Sequence, residues 1–284
     1  MPANYTHRIL GKEVLARLAP STLDRIRENP LLFQLGLHGP DLLFYYKPLS
    51  RTSLGKLGHS LHHHTGREVL TVLLDAVDSL PAEKQDAALA YTLGFACHHL
   101  LDSICHPYVY QLIKAGKSDH CTIEFQMDYW LMEKNGASPL ETDPVSHLAG
   151  MKDKDFAVIA YLYAALSKLD FPDAPLKSRP RQIASAYHSM QRLCHIFGSR
   201  HGIVRLFARI GLLVSGTYEK RKGMIFVKSA DPAFFGCNEY MQKLLFDTAY
   251  EAPVLLEGIC RRVVSARFDR TFEGRSVLSN HTVH

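Results

Sequence analysis

Six side chains between Cys97 and Asp128 stand at four-residue spacings in two sets: His98, Asp102 and His106, then His120, Glu124 and Asp128. In an α-helix, residues four apart fall on one face, so each set projects imidazoles and carboxylates along a single stripe. These are ligand types that suit Zn2+, and facing helices can bring two such stripes around a buried metal cluster. The chain has 16 histidines, ten of them between His7 and His120. A buried imidazole costs desolvation unless it is paired, so a local cluster calls for a shared partner, and a metal serves.

The elements that must position these groups read as helices throughout. No segment alternates apolar and polar residues cleanly, which predicts an all-α fold: one multi-helix domain with a metal cluster between helices of its N-terminal half. The expected domain spans 1–268, with a metal-binding half at 1–134, additional helices over 153–268 and a flexible tail at 269–284. Helices are predicted at 6–18, from 21 or 22 to the Asn29-Pro30 break, and at 31–37. A long helix over 54–80 would carry His59, His62, His63 and His64; another, 81–105, would stop at Pro107; a third, 118–134, would carry His120 and Glu124. Beyond a polar loop, helices are expected at 154–169, 180–197, 202–214 and 239–268. Gly36, Gly39 and Pro40 place Asp41 at the start of the apolar segment 42–46, where a lone carboxylate would read as a helix cap.

Taken together, Tyr5-Thr6-His7, Gly39-Pro40-Asp41, Gly58-x-x-Leu61-His62, His98-x-x-x-Asp102 and His120-x-x-x-Glu124 resemble the zinc-dependent phospholipase C family, whose helical fold is shared by single-strand-specific zinc nucleases. The resemblance covers roughly residues 5–130. It implies two or three Zn2+ ions: one held by Asp41, His62, His98 and Asp102, a second by His106, His120 and Glu124, and a third by His7 with Asp102 as a bridge. Secreted family members complete the third site with an N-terminal tryptophan. This chain begins Met1-Pro2, so the amine of Pro2 is the expected substitute after Met removal. Between the aspartate and the next histidine the family has five residues, whereas Asp102 and His106 enclose three.

The implied activity is phosphodiester hydrolysis by a metal-bound hydroxide, most directly of a phospholipid to diacylglycerol and a phosphorylated headgroup. Asp41 would be a ligand or the catalytic general base. Two alternatives stand beside it: a zinc nuclease on the same fold, and a non-catalytic metal-binding or lipid- or partner-binding helical protein. Net charge is +5 from 33 basic and 28 acidic residues, with Lys220, Arg221 and Lys222 the densest run, which does not point to nucleic acid. No cleavable leader is read at residues 1–5, giving a cytoplasmic expectation, and the apolar stretch 203–214 is interrupted by Arg205 and Arg209. A phospholipid or other phosphodiester is the expected partner, with peripheral membrane contact and no transmembrane segment.

The six cysteines form no C-x-x-C pair. Cys97, Cys105 and Cys121 read as small buried hydrophobes beside the site rather than as ligands. His99, about 100° around the helix from His98, reads as a non-ligand. Asp128 reads either as a group that orients a ligand or as a solvent-facing residue.

Overall fold

A chain whose apolar residues recur at helical spacing hides them by packing helix on helix. The computed structural model describes residues 4–173 and 175–275. It runs through α1 (Asn4–Leu15), α2 (Pro20–Glu28), α3 (Pro30–Gly36), a 3-10 turn (Gly39–Tyr45), α4 (Ser53–Leu61), α5 (Gly66–Asp78), α6 (Ala82–Lys114) and α7 (His120–Lys134). There follow α8 (Asp153–Leu166), α9 (Pro180–Phe197), α10 (Gly202–Val214), α11 (Tyr218–Arg221) and α12 (Phe235–Cys260). The all-α expectation holds, with no strand among the described residues.

Helix α6 is the axis of the molecule. Every residue from 88 to 103 is buried, so α6 is covered on all sides, with α3, α5, α8 and α12 packed against it. The closest approach is α3 on α6, where Gly36 and Gly94 face one another. A Cβ on Gly94 would collide with the Phe33 carbonyl, and one on Gly36 with that of Tyr91. Absence of side chains there lets two backbones touch and sets the depth at which α3 delivers the turn that follows it.

Four features differ from expectation. The helix expected over 54–80 is two, because Thr65 caps α5: its hydroxyl accepts the Glu68 N–H while the Glu68 carboxylate accepts the Thr65 N–H. Pro107 does not stop α6, which continues to Lys114. A proline inside a helix costs about 3 kcal/mol, and the buried flanks, with Ser103 and His106 before it and Val109 after it, hold the helix together across it. Helix α12 ends at Cys260 rather than 268, and Arg262 then takes a left-handed φ of 63°.

The flexible tail expected at 269–284 is corrected over its first residues. Thr271 forms an isolated antiparallel bridge with Thr65, and Phe272 is completely buried. Burying a phenylalanine is worth about 1.5–3 kcal/mol, which is reason enough for this stretch to stay against the core. Residues 276–284 lie outside the described residues, as does Pro2.

Candidate metal centre

Five elements deliver the eight side chains singled out in the sequence. Helix α1 brings His7, the 3-10 turn Asp41, the end of α4 His62, α6 His98, Asp102 and His106, and α7 His120 and Glu124. The turn carrying Asp41 depends on Gly39, which has φ 46° and lies so close to the His98 ring that a Cβ would strike it. The Tyr163 hydroxyl donates to the Gly39 carbonyl at 2.5 Å and fixes the turn from the other side.

Two groups of donor atoms result, each within 4.8 Å: Asp41, His62, His98 and Asp102, and then His106, His120 and Glu124. In the first, His62 Nε2 lies 3.2 Å from Asp41 Oδ1, while His98 Nε2 lies 3.3 Å from Asp41 Oδ2 and 3.2 Å from Asp102 Oδ2. Donors around a tetrahedral zinc, each about 2.0–2.1 Å from it, sit about 3.3 Å apart, so these separations fit the ion. In the second, Glu124 Oε1 is 3.1 Å from His106 Nε2 and 2.8 Å from His120 Nε2.

Hydrogen bonding also fits a metal. His98 Nε2 is buried between two carboxylates yet hydrogen-bonds to neither, and Glu124 Oε2 is likewise buried and unpartnered. The opposite ring nitrogens are engaged: Nδ1 of His98 lies 3.1 Å from the Leu37 carbonyl, that of His62 2.6 Å from Gly58 and that of His106 2.9 Å from Phe272. A ring that donates from Nδ1 to a carbonyl has its Nε2 lone pair free and aimed, which is how ligand imidazoles are held. The shortened Asp102–His106 spacing is accommodated because α6 does not stop at Pro107, and His106 lies one turn beyond Asp102 on the same stripe.

His7 Nε2 lies 3.2 Å from Asp102 Oδ1, with its ring stacked on His98 at 4.4 Å, and its Nδ1 is buried without a partner. It touches the first group through Asp102. Asp128 is fully buried at the start of α1, accepting the Tyr5 and Thr6 N–H groups at 2.9 and 2.7 Å and the Thr6 hydroxyl at 2.6 Å. Of the two readings left open for Asp128, exposure to solvent is therefore excluded.

Electrostatics follow from burying Asp41, Asp102 and Glu124 together. Burial alone would raise each carboxyl, but the surrounding imidazoles win: His98, His106 and His7 hold Asp102 well below the usual carboxylate range, His62 lowers Asp41, and His120 and His106 lower Glu124. The imidazoles respond in kind. Burial opposes the charge on His106, yet Asp102 and Glu124 outweigh it and raise its pKa to about 9. Such a site favours positive charge, whether protons or a divalent cation. Burial drives the Cys97 and Cys105 thiols well above their ordinary range and Cys121 to about 12, so none offers a thiolate at neutral pH.

A small cleft of about 160 Å³ opens over both groups, lined by Asp41, His62, Asp102, Glu124, Tyr110 and Glu273 among others. Phe44 and His59 line both it and a larger cleft of about 890 Å³, whose walls include Tyr46, Arg51, Lys56, Lys220 and Arg221. Tyr110 extends the four-residue stripe one turn past His106 and reaches the cleft because α6 runs on through Pro107. Glu273 and the Phe272 carbonyl gave no local signal.

A family model described as zinc dependent phospholipase C matches residues 6–171. Comparison with curated proteins and with solved structures finds no match.

Proposed function

The chain belongs to the zinc dependent phospholipase C family, and from that premise we propose that it is a zinc-dependent phosphodiesterase that cleaves a phospholipid to diacylglycerol and a phosphorylated headgroup. The observation that carries the reading is the pairing of two donor groups under one cleft, with the buried His98 Nε2 left unpartnered between carboxylates. Asp41, His62, His98 and Asp102 would hold one zinc, and His106, His120 and Glu124 a second. His7 with Asp102 would contribute to a third. The chemistry that zinc supplies when bound is Lewis acidity, which lowers the pKa of a water to about 7 and offsets charge gathering on phosphate oxygens.

The chain's own residues do the rest. Asp41, ionised and on the cleft wall, would serve as a zinc ligand or as the acceptor of the proton that the attacking water gives up. The carbonyls of Leu37, Gly58 and Phe272 keep three imidazoles from rotating during turnover. The small cleft takes the phosphate, and the larger one, with apolar Phe44 and Tyr46 beside Arg51, Lys56, Lys220 and Arg221, takes the bulk of the substrate.

The test is release of diacylglycerol and water-soluble phosphate ester from phospholipid vesicles by the zinc-loaded protein, with single-stranded DNA as the competing substrate. His98→Ala and Glu124→Ala should each lower activity at least about 100-fold, whereas Cys121→Ser should remain close to wild type. Full activity in either ligand variant would sink the assignment. Cleavage of DNA but not lipid would move the substrate, and one tightly held zinc without hydrolysis would favour a structural site.

A further inference from the structure

Helix α10 wears its apolar face outward. Ile203, Leu206, Phe207, Ile210, Leu213 and Val214 follow the spacing of one helical stripe, yet all are exposed, Phe207 by 67% and Val214 by 85%, and only Leu212 is buried. A contiguous exposed apolar stripe of this size marks a surface that something covers. The helix lies beyond the residues that the family model matches, which end at 171.

Charge identifies the covering partner. Between residues 175 and 218 there are seven Lys and Arg residues and no Asp or Glu, an excess larger than the net charge of +5 for the whole chain. Arg200 and Arg209 are exposed, and Arg205 is tethered by donating to the Ser199 carbonyl. Arg209 borders the stripe beside Leu213, so two copies meeting through this face would set like charges along its edge. An anionic lipid surface offers hydrocarbon to the stripe and phosphate to the arginines. Position agrees, since α10 leads within a few residues into α11, whose Lys220 and Arg221 wall the larger cleft beside the metal centre. At 13 residues the helix is about 20 Å long, and no helix among the described residues is long and apolar enough to cross a membrane, so α10 would lie in the plane of the interface.

We propose that α10 is an interfacial anchor that docks this chain on anionic phospholipid bilayers and presents the cleft to the lipid. The choice of lipid over other apolar partners rests on the phospholipase reading. The test is co-flotation of the full-length, zinc-loaded protein with vesicles of phosphatidylcholine alone or with about one-third phosphatidylserine. Hydrolysis of dissolved dihexanoyl phosphatidylcholine is followed in parallel.

Wild type should float with the anionic vesicles, less so at high salt. The double variant Phe207→Ser, Ile210→Ser and the single variant Arg209→Glu should each weaken flotation about tenfold while hydrolysis of the dissolved lipid stays unchanged. These side chains are solvent-exposed, so folding, followed by circular dichroism, should be unaffected. Failure of wild type to float, or equal flotation of the double variant, overturns the proposal. So does a wild-type dimer that the double variant dissociates in the absence of vesicle binding. Flotation that depends on Phe207 and Ile210 without lipid hydrolysis upholds the anchor and defeats the phospholipase reading instead.

Discussion

At the level of single residues, neighbouring histidines have opposite duties. His98 points its Nε2 between Asp41 and Asp102, whereas His99 is pressed edge-on against Phe272 at 4.5 Å and packs near Phe268. Burial, more than any neighbour, lowers the His99 pKa to about 3, so its ring is neutral packing material. Leucine has nearly the volume of histidine, so each can be replaced with little change in packing. His98→Leu should cost the protein the zinc of the first group and His99→Leu should not, as counted by metal analysis of the purified proteins. Equal zinc in both would mean that the ring facing the carboxylates is not a ligand. This distinction was legible in the sequence, because 100° of helical rotation separates adjacent positions whatever the helix packs against.

At the level of elements, what matters is how α1 is held. Its first turn has N–H groups that its own helix cannot satisfy, and the carboxylate of Asp128, from α7, takes two of them together with the Thr6 hydroxyl. That contact fixes the turn from which His7 reaches Asp102. Asp128→Ala should destabilise the protein by about 2–4 kcal/mol in urea unfolding, because three buried donors lose their acceptor. Asp128→Asn, which keeps an oxygen in place, should cost less than half as much; a loss under about 0.5 kcal/mol for the alanine variant would show that the cap is dispensable. Sequence spacing put Asp128 on the stripe of His120 and Glu124, but its partners lie more than 120 positions away, and no local pattern encodes such a contact. The same limit explains Pro107, whereas the split of the 54–80 helix has a local signal. Proline normally ends a helix, and only packing on both sides of α6 reverses that rule; Thr65 and Glu68 form a visible capping pair that four nearby histidines, read as one continuous helix, concealed.

For the molecule as a whole, the residues past 171 are part of the metal centre's surroundings: the Phe272 carbonyl holds His106, and Lys220 and Arg221 wall the approach. Global stability should also register the histidine pair His38 and His147, which lie behind the turn carrying Asp41 and do not line the cleft, and whose rings stack at 6.5 Å. Burial, with Arg8 nearby, lowers the His147 pKa to about 4, and burial with His147 beside it depresses His38 as well. An unfolded chain takes up a proton on such a ring near pH 6.5, about its free value, while the folded protein refuses it until about pH 4. The stability this contributes is complete above about pH 6.5 and is lost as pH falls from there towards about pH 4. Urea unfolding of zinc-loaded wild type and His147→Gln across that window should show a shallower acid decline for the variant, since glutamine has no proton to gain. Parallel curves would mean that His147 is open enough to titrate normally, and the acid sensitivity would have to be sought at other groups.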